Sequence, residues 1–268
     1  MNKLKRMQPL LGTFVEVGII TEMDSGDDAI TAAFKGIKKV QDLLSFHNAD
    51  SDLSRLNKSG QRGIELHPIS ADVLRLALHM TGVTEGDFNC TIGGALIEKG
   101  VLPDHGGLRP IRIGTVDDVI LNGCHVRLLR PIRITLDGIA KGYAVDHAVN
   151  ILKQQGIHSG WINAGGDLRV FGDITIPVYR REMNESHTFL GKFSNTALST
   201  SSAQFDYDSR FPSLILNSHT HAYKAGIWTV KAGSSWLADA LTKVAGVSSD
   251  NTVNKKIASF GCELLVGL

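Results

Sequence analysis

The segment Thr135-Leu136-Asp137-Gly138-Ile139-Ala140-Lys141-Gly142-Tyr143 sets a glycine at the end of a strand and a lysine in the first turn of the helix that follows. Free backbone N–H groups and the positive end of the helix dipole favour an anion at such a start, and the Lys141 ammonium adds a point charge. Taken alone, the segment favours a plain strand-to-helix turn with an exposed lysine, because the pattern G-x-x-x-x-G-K-[ST] of a phosphate loop is absent. Asn163-Ala164-Gly165-Gly166-Asp167 places two adjacent glycines after a strand, which suits either a hairpin turn or a close approach of backbone to a ligand. In Ala238-Asp239-Ala240-Leu241-Thr242-Lys243 an acid sits between small residues on an otherwise apolar helix. Asp239 is either half of an i,i+4 ion pair with Lys243, the reading that spacing alone favours, or a ligand for a hard cation such as Mg²⁺, which takes oxygen donors and few carboxylates. His219-Thr220-His221 would point both imidazoles to one side of a strand, as metal ligands sometimes require; with no third ligand in register, a surface loop is the simpler reading.

These residues need elements to hold them. Phe14 to Ile19 is β-rich and reads as a first strand, and in Ala29 to Phe46 the residues Ile30, Ala33, Phe34, Ile37, Val40 and Leu44 recur at helical steps on one face. Asn48 to Asn57 is dense in side chains that bond their own backbone and reads as a structured loop. Ser70 is placed to cap a second helix through Val73, Leu74, Ala77 and Leu78 that stops near Gly82. Ile111-Arg112-Ile113, Val126-Arg127-Leu128 and Ile132-Arg133-Ile134 look like short strands with their charges outward. A third helix is expected from Ile139 to Gln155, with Gly156 as its stop, then strands at Trp161–Asn163 and Leu168–Phe171, a helix at Trp236–Val244 and a last strand at Glu263–Val266. Strands and helices do not alternate regularly, so the class is α+β: mixed sheets with packed helices in one domain over residues 1–268, in one lobe or two.

Composition narrows the partners. The 268 residues carry 28 Lys and Arg against 27 Asp and Glu, with 43% hydrophobic and 21% charged, which is the profile of a globular chain without a basic field for nucleic acid. Cys90, Cys124 and Cys262 are odd in number and widely spaced, which argues against a disulfide framework and against a zinc site. Lys3, Lys5 and Arg6 are not followed by a leader's apolar stretch, and no apolar run approaches the roughly 20 residues of a membrane helix, so a cytoplasmic location is expected.

In this order the segments resemble the FAD:protein FMN transferase family, also called ApbE. The likeness begins at Leu11-Gly12-Thr13, where the family has Met-Gly-Thr before a strand, and continues through Ser45-Phe46-His47 and Ser51-Asp52-Leu53-Ser54-Arg55-Leu56-Asn57. His47 stands where the family has a tyrosine that stacks on flavin-nucleotide rings, and an imidazole can still stack over a smaller area. Gly86-Asp87-Phe88-Asn89-Cys90-Thr91-Ile92-Gly93 is similar to the family's Gly-x-Phe-Asp-Pro-Thr-Val-Gly. Thr135 to Asp146 is similar to D-L-G-G-I-A-K-G-Y-A-x-D with Thr135 in place of the first Asp, and Asn163–Asp167 and Leu198-Ser199-Thr200-Ser201 match closely.

Two departures stand out. Where the family has His-x-x-Asp-Pro-x-Thr-Gly, this chain has only Ser213-Leu214-Ile215-Leu216-Asn217 or, in another register, His219 to Gly226, so the proton-handling histidine is lost or supplied by His219. The family's metal-binding threonine, four residues after the helix acid, is Lys243 here, with Thr242 one residue earlier near the same face. The resemblance implies a single T-fold-like domain that splits FAD at its pyrophosphate and passes FMN to a Ser or Thr hydroxyl of an acceptor flavoprotein, releasing AMP with a divalent metal such as Mg²⁺ assisting. It implies Lys141 and His219 as catalytic groups and Leu11, His47, Asp87, Phe88, Asn89, Thr135, Lys141 and Leu214 as the FAD site. The implied metal ligands are Asp239, Thr242 and the carbonyl of Gly138, while Lys243 either turns away or takes over part of the metal's charge. Two rival functions are hydrolysis of FAD to FMN and AMP, and FAD binding without turnover.

Overall fold

The computed structural model describes residues 2–203, 214–220, 222 and 224–265. Along the chain the elements begin with β1 (Asn2–Leu10), β2 (Thr13–Thr21), α1 (Gly26–Leu44), α2 (Asp52–Ser59), β3 (Ile64–Glu65), α3 (Pro68–Val83) and α4 (Gly93–Glu98). They continue with β4 (Val119–Asn122), β5 (His125–Leu128), α5 (Ala140–Gln154), β6 (Ser159–Ala164), β7 (Asp167–Phe171), β8 (Ile176–Arg181) and β9 (His187–Phe193). The last are β10 (Ala197–Ala203), β11 (Gly226–Ala232), α6 (Ser235–Val247), α7 (Asp250–Ala258) and β12 (Glu263–Leu265). The mixture of sheets and helices is the α+β class expected from the irregular order of elements. Contacts divide the chain into two compact units, one of residues 1–39, 141–202 and 226–268 and the other of residues 40–140 and 203–225.

The first unit is built on a seven-stranded sheet in the order β1-β2-β6-β7-β10-β11-β12. Alternation along its strands sorts the side chains to two faces. On one face Trp161, Leu168, Val170 and Leu198 form a buried cluster against Ile176, Val178 and Phe193 of the β8–β9 hairpin. On the other face of β7 and β10, Asp167 and Ser199 are opposite each other in register, and Ser201 follows two residues on. Helix α1 holds its apolar stripe as expected, with Ile30, Ala33 and Ile37 fully buried, and α5 buries Ala148, Val149 and Leu152. Gly156, at φ +80°, ends α5 as the sequence indicates.

The second unit carries a three-stranded antiparallel sheet, β3-β5-β4, with α2, α3 and α4. Several sequence expectations are corrected here. The stretch read as a loop around Asn48 to Asn57 contains α2, because Ser51 accepts the Ser54 N–H as an N-cap and Leu53 and Leu56 supply a buried face. Helix α3 begins at Pro68 under His67, whose Nδ1 accepts the Ile69 N–H; Ser70 lies inside the helix and donates to Asp52 Oδ2 at 2.8 Å. Residues 111–113 form no strand, and 132–134 hold only an isolated bridge between Ile92 and Arg133. The reason is where their backbone bonds go. Asn57 clasps Ile134 from both sides, Nδ2 donating to its carbonyl at 2.8 Å and Oδ1 accepting its N–H at 2.7 Å. Arg133 does not face outward as expected: it is 6% exposed, and its guanidinium donates to the carbonyls of Gly106 and Leu108.

Candidate functional site

The first unit gathers charge where two helices meet one sheet face. Helices α5 and α6 approach closely at Gly142, where a Cβ would lie 2.6 Å from the carbonyl carbon of Ser235 and 2.8 Å from Trp236 Cα. Only a residue without a side chain allows that spacing. Asp146, one turn along α5, accepts the Trp236 N–H at 3.0 Å and so caps the start of α6; burial holds its carboxyl above the ordinary range. The crossing turns Asp239 of α6 inward, where it is 2% exposed and its Oδ2 accepts the Gly142 N–H at 3.2 Å.

Four charged groups converge there. Lys243 lies one turn after Asp239, and its ammonium donates to Asp239 Oδ1 at 2.5 Å, to Ser201 Oγ at 2.9 Å and to Thr242 Oγ1 at 3.1 Å. Thr242 in turn bonds the Asp239 carbonyl at 2.7 Å and shares a bond with Ser201 at 2.7 Å. Beside them Lys141, in the first turn of α5, stands 3.5 Å from Asp167 Oδ2, and the Ser199 hydroxyl donates to Asp167 Oδ1. Burial pushes the Asp167 carboxyl up to about 6 and the neighbouring Asp239 charge adds to this, against the opposing pull of Lys141, Lys243 and Ser199. Two buried carboxylates are thus matched by two ammonium groups, an arrangement that burial without pairing would not tolerate.

The donor set bears on the metal that the resemblance implies. Asp239, Thr242 and Ser201 present hard oxygens, the chemistry Mg²⁺ prefers. Those oxygens, however, already surround the Lys243 ammonium, and a dication placed among them would stand against a like charge at contact. Among the described residues no three His, Cys, Asp or Glu side chains come together as a metal cluster. With Lys243 in this position, the residues do not fit a divalent ion.

Of the residues singled out from sequence, Lys141, Asp239 and Thr242 are brought together in the first unit. Leu11 lies in the β1–β2 turn of that unit at φ +56°, next to Gly12. The second unit holds the others. His47 is exposed in a turn, while Phe88 is 3% exposed with its N–H bonded to Thr84 Oγ1. Asp87 is half-buried, and Asn89 accepts from the Thr91 N–H and hydroxyl. Thr135 is buried with its N–H on the Cys90 carbonyl; Gly138 is in the turn before α5, and Leu214 is half-buried. His219 is exposed beside Gly86, since Ser218 donates to the Gly86 carbonyl at 2.7 Å and Asn217 Oδ1 accepts the His219 and Thr220 N–H groups at 2.9 Å. His221 lies outside the described residues. Sequence reasoning left Asp167, Ser199 and Ser201 out of the site, although they belong to motifs it had singled out; what it lacked was the register that pairs Ser199 with Asp167.

A family model described as the ApbE family matches residues 11–265. Among curated proteins, the chain is 29% identical over 175 residues to the FAD:protein FMN transferase of Klebsiella pneumoniae strain 342, covering 59% of this chain and 54% of the relative. It is 26% identical over 177 residues to that of Vibrio cholerae, covering 61% and 53%. The chain therefore spans about half the length of the curated relatives it matches. Among solved structures, the flavin transferase ApbE from Vibrio cholerae superposes with a TM-score of 0.82 at 19% identity, covering 99% of this chain and 94% of that one. The ApbE protein from Thermotoga maritima gives 0.84 at 23% identity, with the same coverage of both chains. At these identities the likeness to the two structures is one of fold.

Proposed function

This chain belongs to the ApbE family, and on that premise we propose that it is a transferase that moves FMN from FAD to a Ser or Thr hydroxyl of an acceptor flavoprotein. The relatives named FAD:protein FMN transferase support this reading of the activity. The observation that carries it is the partly exposed Lys141 ammonium in the first turn of α5, beside the buried Asp167. Cationic groups and a helix N-terminus are what a pyrophosphate needs.

In the proposed reaction the acceptor oxygen attacks the FMN phosphorus, a new P–O bond forms and the bond to the AMP phosphate oxygen breaks. Lys141 offsets charge on the phosphate oxygens, and the hydroxyl proton passes to a base, the role that the resemblance alone gives to His219. Phosphoryl transfer depends chiefly on positioning and charge stabilisation, so the chain need supply no covalent intermediate. The resemblance implies Mg²⁺ on Asp239 and Thr242, but the Lys243 ammonium stands among those oxygens. The steps above do not use the metal.

The test is to incubate the protein with FAD and an acceptor flavoprotein and to weigh the products. FMN attached to the acceptor together with free AMP supports the transferase. Free FMN and AMP without acceptor identify a pyrophosphatase, and bound FAD without AMP identifies a binding protein. Asp239→Asn, which keeps the side chain's shape beside Lys243, should abolish AMP release in protein shown to be folded by circular dichroism; AMP release that persists removes Asp239 from the catalytic site.

A further inference from the structure

The Lys243 ammonium makes three donor contacts, and an ammonium has three N–H groups to give. Its partners come from two elements, Asp239 and Thr242 on α6 and Ser201 on β10, and they enclose it as oxygen ligands enclose a small cation. Their own bonds fix them in place: Asp239 Oδ2 is on the Gly142 N–H, and the Thr242 and Ser201 hydroxyls are on each other. The Asp239 side chain is 3% exposed and that of Lys243 24%, so solvent screens the pair little.

We infer that Lys243 is the built-in cation of this site: its ammonium fills the place among Asp239, Thr242 and Ser201 that a divalent metal would otherwise take, so the chain binds the pyrophosphate of its substrate without a divalent metal. This rests on the functional reading above only for the identity of that substrate. With Asp239 neutralised from within, its carboxylate leaves no uncompensated negative charge to repel phosphate oxygens brought beside Lys141. A dication is kept out by the ammonium and by the loss of Asp239 as a vacant ligand. Lys243 acts here as a positioning residue, since its N–H groups are spent on the protein.

Mn²⁺ serves as the metal probe, read by the free-ion paramagnetic resonance signal with no FAD present. The wild-type protein should leave the free Mn²⁺ signal undiminished at an equimolar submillimolar concentration, and Lys243→Met should deplete it, binding Mn²⁺ at least about tenfold more tightly, as a freed buried carboxylate is worth at least one charged hydrogen bond. Adding Asp239→Asn to Lys243→Met should abolish the gain. In a second arm, FAD affinity of the wild-type protein should be the same in EDTA and in Mg²⁺, while that of Lys243→Met should become Mg²⁺-dependent. Stoichiometric Mn²⁺ binding by the wild-type protein overturns the inference, and this result needs no variant to fold. Failure of FAD to bind under any condition counts against the functional reading, whereas the Mn²⁺ titration decides the built-in cation by itself.

Discussion

Replacing Gly142 by alanine tests whether the α5–α6 crossing builds the site. The new Cβ would stand 2.6 Å from the Ser235 carbonyl carbon and 2.8 Å from Trp236 Cα, with the Ser235 oxygen nearer still. All three are backbone atoms of α6, so no side chain can swing aside, and relief requires the helices to part by roughly 1 Å to reach ordinary contact. Overpacking of this kind costs about 1–3 kcal/mol. Parting the helices also stretches the Gly142 N–H bond to Asp239, already 3.2 Å, and a hydrogen bond to a charged group is worth about 1.5–3 kcal/mol. Against this, alanine gains about 1 kcal/mol of helix propensity over glycine. The balance is a loss of roughly 2–4 kcal/mol, a fall of about 5–10 °C in Tm for a chain of this size. Thermal melts followed by circular dichroism read the effect, beside Gly82→Ala as a control. Gly82 lies in α3 with no atom near its missing Cβ, so that change should be neutral or slightly stabilising. AMP release should fall more steeply than stability, because a shift of about 1 Å near reacting groups can cost about a hundredfold in rate. A Gly142→Ala protein that melts with the wild type and retains its turnover would refute the idea that this contact sets the geometry.

Asn57→Ala should cost roughly 2–4 kcal/mol in urea titrations, since it strands the buried N–H and carbonyl of Ile134 at once; a loss under about 0.5 kcal/mol would mean that the 132–134 segment finds other partners. Asp167 gives a pH signature. Its folded-state carboxyl is raised to about 6 by burial and by Asp239, so its contribution is fully present below the unfolded carboxylate range near 4 and is lost as pH rises through about 6. Urea midpoints between pH 4 and 7 should show wild-type stability falling relative to Asp167→Asn by up to about 3 kcal/mol, and parallel profiles would show that the carboxyl titrates normally.

The sequence by itself determined the family and much of the local structure. The helical stripe of α1 followed from Ile30, Ala33, Phe34 and Ile37, the end of α5 from Gly156, and the ordered motifs from Leu11 to Lys243 pointed to the family that the comparisons then showed. Spacing also put Lys243 within reach of Asp239, as i,i+4 geometry requires. Local rules failed where tertiary bonds competed with them. Side chains that bond their own backbone marked residues 48–57 as a loop, but two of those residues, Leu53 and Leu56, had a core to bury into. Arg133 was read outward by alternation, yet carbonyls of the 106–108 loop enclose it. The site itself depended on register and on close approach. Ser199 meets Asp167 because β10 pairs with β7 in one particular alignment, and Asp239 turns inward because Gly142 lets α6 come near α5. Whether Lys243 turned away or folded back was open in the sequence, because both fit a helix; Ser201, forty-two residues away in the chain, supplied the third oxygen that made the inward position the satisfied one.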